Sequence, residues 1–293
     1  MNKLLTAATI TLSLFATQAN AGIVNIAGVT LAPGAQFWVS TLFESQLINV
    51  TDTLYGVGYV NAINGPAGPT WTDGTNGKQL AYYFSGYSVD SWYGYDGAAL
   101  GWHGGTDNGI GAYTFSTQAL LIDFSGGSVQ FYADAAGTLN PYSTIPLGAL
   151  QQAADITAAT SGTLWADYAA QTFDYLTSQG LQIGHTLYAS NGASSANSGG
   201  TGIGYLNVTA VSGVGAANST LDTNGFTTLT SAGVNVIADA QLYSTYTNTN
   251  PVGYWPLTGS VNLKTTAVPA PGSIFLFGLG LLGLGVIARK RTA

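Results

Sequence analysis

The central part of this sequence predicts a mainly β fold, an antiparallel, jelly-roll-like β-sandwich with one or two short helices. Three observations predict it. Apolar residues alternate at period two in short runs, most clearly at Leu80, Tyr82 and Phe84 and again at Leu120, Ile122 and Phe124. Clusters of Gly, Asn, Pro and Asp separate such runs at short intervals, with no strand–helix–strand rhythm between them. Six Trp, 17 Tyr and 11 Phe set against 6% charged residues supply the apolar surface of a packed core.

Taken in order, residues 23–31 and 36–43 read as two strands around the turn at Pro33-Gly34. Leu54 to Ile63 is another extended run, broken by Gly56 and Gly58. Asn64 to Gly77 reads as a long connection with Trp71 inside it, a binding loop or a cover for a sheet edge. Tyr83, Tyr87, Trp92, Tyr93 and Tyr95 form an aromatic cluster that no single strand face can bury. The glycine-heavy stretch Gly97 to Gly111 holds Trp102, His103, Asp107 and Asn108. Ser125-Gly126-Gly127 reads as a turn or a bulge, after which Val129 and Phe131 continue the alternation. Helical composition is confined to Leu147–Ala159, between Pro146 and Gly162, and to Trp165–Leu176. Gln182–Tyr188, Leu206–Ala210, Phe226–Leu229, Val234–Leu242 and Leu257–Leu263 read as the remaining strands. The polar tract Ser190 to Gly204 leaves the composition of its flanks alike, so one domain is expected.

Both ends carry handling signals. Residues 1–21 have the form of a secretory signal peptide, with Lys3 before an apolar run from Leu4 to Ala16 and an Ala19-Asn20-Ala21 site for signal peptidase. At the other end, Val268-Pro269-Ala270-Pro271 precedes an uncharged 15-residue run, Ile274 to Ala288, and then Arg289-Lys290-Arg291. Fifteen residues fall short of the roughly 20 that span a bilayer, but Gly272, Ser273 and the stems of Arg289 and Lys290 narrow the gap. A C-terminal hydrophobic membrane helix over 274–288 is therefore expected, with its basic end in the cytoplasm and residues 22–266 outside.

This three-part tail resembles the bacterial PEP-CTERM sorting signal, which joins a short Pro-containing motif, a Gly/Leu-rich hydrophobic helix and an Arg-rich end. Residues 267–293 would be the signal, in a variant form with Ala270 where the common motif has Glu. The resemblance implies recognition and cleavage near the motif by a membrane protease of the exosortase type. It also implies an exported protein, first anchored in the inner membrane and then displayed on the cell surface or secreted, in a bacterium that makes exopolysaccharide and biofilm or floc matrix. Gly56 to Val60, Phe124-Ser125-Gly126-Gly127 and Leu221-Asp222-Thr223-Asn224 are similar to stretches in flocculation-associated members.

Composition narrows the function further. All 13 acidic residues lie in 22–266 against Lys78 and Lys264, a net charge of 2 − 13 = −11, which repels nucleic acid. The chain has no cysteine, so a core or bound ions must replace disulfides. His103 and His185 lack ligand-like spacing, no G-x-S-x-G elbow occurs, and the single glutamate, Glu44, has no carboxylate partner marked by spacing. Calcium is the one cofactor with any pattern behind it, through turn aspartates at Asp73, Asp96, Asp107 and Asp222. Trp71, Trp92, Tyr93, Tyr95 and Trp102, set among Asn, Asp and Gly, suit stacking on sugar rings. The sequence thus points to a non-enzymatic surface or matrix protein that contacts exopolysaccharide or further copies of itself. The alternatives are a secreted carbohydrate-active hydrolase and a self-associating adhesin.

Overall fold

Residues 23–31 form a tight hairpin and not the single strand their composition suggests. Strand β1 (Val24–Ile26) pairs antiparallel with β2 (Val29–Leu31) across Ala27-Gly28, whose φ angles are 51° and 89°. Two consecutive left-handed residues make the turn whose twist suits a two-residue hairpin. The Asn25 side chain accepts the Gly28 N–H at 3.0 Å and holds it. The structure, a computed structural model, describes residues 23–45, 47, 52–96, 101–106, 120–141, 149–177, 180–191, 199–209, 215–229, 235–248 and 255–267. The expected signal peptide, its Ala19 and Ala21, and the tail with its expected helix over 274–288 lie outside these residues.

The chain continues through β3 (Gly34–Glu44), β4 (Thr53–Gly65), β5 (Gly68–Thr72), β6 (Lys78–Asp96), β7 (Gly101–Thr106) and β8 (Leu120–Ala135). Helix α1 (Ala149–Ala159) follows, then β9 (Thr163–Gln171), β10 (Phe173–Thr177), β11 (Gly180–His185), β12 (Leu187–Asn191) and β13 (Gly199–Val208). A one-turn helix α2 (Asn218–Leu221) precedes β14 (Phe226–Leu229), β15 (Asn235–Ala238), β16 (Ala240–Asn248) and β17 (Leu257–Ala267).

These strands close into an eight-stranded antiparallel barrel in the order β3-β4-β6-β8-β9-β13-β16-β17, with β17 returning to β3. The expected sandwich is corrected here. The closing pair runs from Leu257 opposite Glu44 to Ala267 opposite Gly34 and joins the first and last strands of the barrel. A sandwich and a barrel both alternate apolar and polar faces, so period-two patterning does not separate them. One wall position is shared. The stave between β8 and β13 is β9 in its first part and β12 in its second, and the β10–β11 hairpin loops out between them.

Away from the patch of outer wall that packs on α1, the strands are mostly apolar inside and polar outside. On β16 and β17 the outward positions include Gln241, Thr245, Thr247, Ser260, Asn262 and Lys264, and the Thr245 and Ser260 hydroxyls share a hydrogen bond at 3.0 Å. A barrel that spans a membrane presents the reverse, an apolar band outside. Inside, the Gly34/Ala267 end is filled. Trp38 meets Phe131 edge-on at 5.3 Å and Trp165 at 5.6 Å, and Tyr168 packs on Phe131 at 6.0 Å. The Trp165 indole N–H donates to the Ile26 carbonyl at 2.9 Å, which ties the β1–β2 hairpin onto this end. Each such buried ring contributes about 2–3 kcal/mol of apolar burial.

The expected helix over Trp165–Leu176 is strand β9 followed by β10. The reason lies in the register. Phe131 pairs with Ala166 and Tyr132 with Leu164, so Trp165 is an extra, bulged residue. The bulge buries Trp165 and Ala166 together and leaves Trp165 and Tyr168 three apart, a spacing that mimics a helix face. The other expected helix is present as α1. It lies against the outer wall, where Phe43, Val57 and Ala81 pack with Ile156, Ala159 and Trp255.

Two glycines on β4 explain the broken run at 54–63. A Cβ at Gly56 would sit 2.5 Å from the Phe84 ring, and one at Gly58 would sit 2.3 Å from the Tyr82 hydroxyl. Both rings lie across the strand in the space those side chains would occupy, and the Tyr82 hydroxyl donates to the Thr41 carbonyl at 2.7 Å. Ser125-Gly126-Gly127 is a bend within the continuous strand β8. It lets Phe124 and Val129, five residues apart, face the same interior.

Candidate functional site

The unfilled end of the barrel is a lined cavity. Leu42, Leu54, Phe84, Leu187, Leu242 and Val261 form most of its wall, with Ser40, Ser244 and Glu44 as polar members. The cavity has a volume of about 50 Å³. Glu44 sits there by alternation, two residues beyond Leu42 and four beyond Ser40 on the inward face of β3. It is 7% exposed, and burial pushes its carboxyl up to about 8. Among the described residues no hydrogen bond or ion pair reaches that carboxyl group. Tyr82 and Tyr246 stand near it, and burial first and the charge of Glu44 second hold both phenols above their ordinary range. Leu242 and Ser244 are partly exposed and mark the mouth.

The aromatic candidates divide. Trp71 does not sit in a loop. It lies on β5 opposite Ile63, is 2% exposed and belongs to the main core, so it is withdrawn as a sugar platform. The others occupy the β6–β7 ribbon, which extends beyond β4 at the mouth end of the barrel. Tyr95 pairs with Trp102 and Tyr93 with Gly104, so Tyr93, Tyr95 and Trp102 share one face of the ribbon. Trp92 pairs with Gly105 on one side and with inward-facing Ile122 on the other, which places it on the opposite face. The stretch read as a glycine-rich loop is therefore in part a strand.

The three acidic candidates among the described residues occupy different elements. Asp73 is in the turn after β5, exposed, with its carboxyl raised by partial burial. Asp96 ends β6, Asp222 follows α2 and is exposed, and Asp107 lies outside the described residues. No group of three or more His, Asp or Glu side chains suited to a metal ion occurs among the described residues.

Sequence reasoning missed one cluster. His185 Nδ1 lies 3.0 Å from Asp90 and its Nε2 lies 3.7 Å from Asp123, which is fully buried on the outer face of β8. Asp90 is the extra residue in the pairing of β6 with β8, and the bulge turns it toward the histidine. The only sequence signal is the acidic residue between Val89 and Ser91 that interrupts the alternation.

No helix among the described residues is long and apolar enough to cross a membrane. Residues 267–291 match the family model described as the PEP-CTERM protein-sorting motif. The tail is a PEP-CTERM sorting motif. PEP-CTERM signals mark exported proteins that are anchored in the membrane at the C-terminus before an exosortase processes them. The matched span takes in Val268-Pro269-Ala270-Pro271 and Arg289-Lys290-Arg291, the two flanks of the apolar run. No curated protein and no solved structure matches the chain.

Proposed function

We propose that the barrel, released or re-anchored after C-terminal processing, is a non-enzymatic surface or matrix protein that holds exopolysaccharide on its β6–β7 ribbon. The observation that carries this reading is the strand register that brings Tyr93, Tyr95 and Trp102 to one face beyond the barrel wall. Flat aromatic residues in a row suit the apolar faces of successive sugar rings. The hydrolase alternative is weakened by the position of Glu44. The only glutamate lies inside an apolar cavity, and among the described residues that line it there is no second carboxylate.

The test is titration of the exported protein with the producing organism's own polysaccharide, alongside an assay for released reducing ends. Saturable binding without product, weakened about tenfold in Tyr95→Ala/Trp102→Ala, is the expected result, since two stacked rings are worth about 1.4 kcal/mol or more. Turnover that disappears on neutralising one carboxylate establishes the hydrolase. Self-association has its own support in β7, the last strand of the sheet path among the described residues, whose outer edge would be a template for pairing. Concentration-dependent assembly without sugar identifies that route.

A further inference from the structure

We infer that the barrel interior is a binding site for a small neutral molecule with an aliphatic body and one hydroxyl, the hydroxyl meeting Glu44. An eight-stranded barrel is near the size at which side chains just fill the interior or leave room for one ligand. Here one end is filled by Trp38, Phe131 and Trp165, and the other is not. A void lined by leucines explains itself as imperfect packing. A carboxyl group aimed into that void does not. Burying an unpaired carboxyl costs stability, and leucine or glutamine at the same inward position would avoid most of the cost. Glu44 is 7% exposed and has no hydrogen-bond partner among the described residues; its oxygens are not sealed from solvent, and their bonding capacity is open to what enters the cavity.

The chemistry of the occupant follows from the wall. Leu42, Leu54, Leu187 and Leu242 call for an aliphatic surface. Glu44 retains its proton near neutral pH, and a protonated carboxyl both donates and accepts, as a hydroxyl does. A cationic ligand would have to strip that proton first. The cavity, at about 50 Å³, is about a third of the volume that holds benzene in an engineered apolar cavity. The occupant is therefore only a few carbons in size, or it extends through the mouth at Leu242 and Ser244. The ribbon site for sugar is separate from this one, and neither depends on the other.

1-Propanol and 1-propylamine serve as probes, titrated calorimetrically into the protein as exported. The expected result is saturable 1:1 binding of 1-propanol at pH 6, where Glu44 keeps its proton. Tyr82, Tyr87 and Tyr246 also face this space, and burial keeps all three phenols neutral there. Glu44→Gln keeps the binding, and Glu44→Leu weakens it about tenfold. Leu42→Trp fills the cavity and abolishes it, and Leu54→Trp does the same should the first variant fail to fold. 1-Propylamine that binds more tightly than 1-propanol overturns the hydroxyl assignment. No binding of either probe to folded protein, or binding unchanged in the filled variants, overturns the site.

Discussion

The indole N–H of Trp255 donates to the Asp155 carboxylate at 2.9 Å, and with both groups buried this bond fastens α1 to the outer wall of the barrel. Gln151, one turn earlier on the helix, donates to the other carboxylate oxygen at 2.8 Å. A hydrogen bond to a charged group contributes more than a neutral one, and loss of Asp155 leaves two buried donors without an acceptor. Asp155→Ala is expected to cost about 2 kcal/mol, read as a lower urea midpoint with an unchanged slope. Asp155→Asn keeps one acceptor and should lose less.

Glu44 makes stability depend on pH in a specified direction. The folded carboxyl keeps its proton up to about pH 8, whereas an unfolded one releases it near 4.5. Between those values the folded state binds more protons, so stability falls as pH rises and levels off above 8. The ionised form is disfavoured by on the order of 3–5 kcal/mol. Urea unfolding at pH 5 and pH 8 should show this decline, and Glu44→Gln should flatten it.

Gly58 is closed to any side chain. A Cβ there would lie 2.1 Å from the Thr41 carbonyl and 2.3 Å from the Tyr82 hydroxyl. Gly58→Ala is expected to destabilise by about 2–3 kcal/mol or to prevent folding. Tyr82→Phe, which removes only the bond to Thr41, should cost about 1 kcal/mol. Thermal melts of the two variants side by side distinguish steric exclusion from a lost hydrogen bond.

His185 bridges the looped-out hairpin to the wall through Asp90 and Asp123. His185→Ala should leave the barrel amides protected while exchange speeds up several-fold in β10 and β11. Hydrogen-exchange mass spectrometry resolves the two regions.

Intact-mass measurement of the exported protein should show both ends missing, with the new C-terminus near Val268–Pro271. Replacement of Arg289-Lys290-Arg291 by neutral residues should leave unprocessed precursor, because the basic end fixes the orientation of the segment before it.

How much of this was written in the sequence varies with how local the cause is. Leu80-Tyr82-Phe84 and the Leu147–Ala159 helix are short-range patterns, and both are in the structure. The tail was legible because its three parts are contiguous. Barrel closure was not, since the pairing of 34–44 with 257–267 leaves no mark in either strand alone. Trp165 misled because a bulge shifts period two into something like period three. Trp71 misled because proline and glycine around it, at Pro69 and Gly74, read as loop although the short strand between them packs inward. Asp90 and His185 lie 95 positions apart in the chain and meet only because β11 folds back across β8.

The meeting of β3 and β17 also fixes which end of the barrel the tail leaves. Ala267 closes the barrel at its plugged end, opposite Gly34, and the apolar run begins at Ile274, after six intervening residues. Six residues reach at most about 20 Å. A precursor anchored through its sorting motif is therefore tethered from the stoppered end. The opening beside Glu44 lies at the far end of the barrel from that tether.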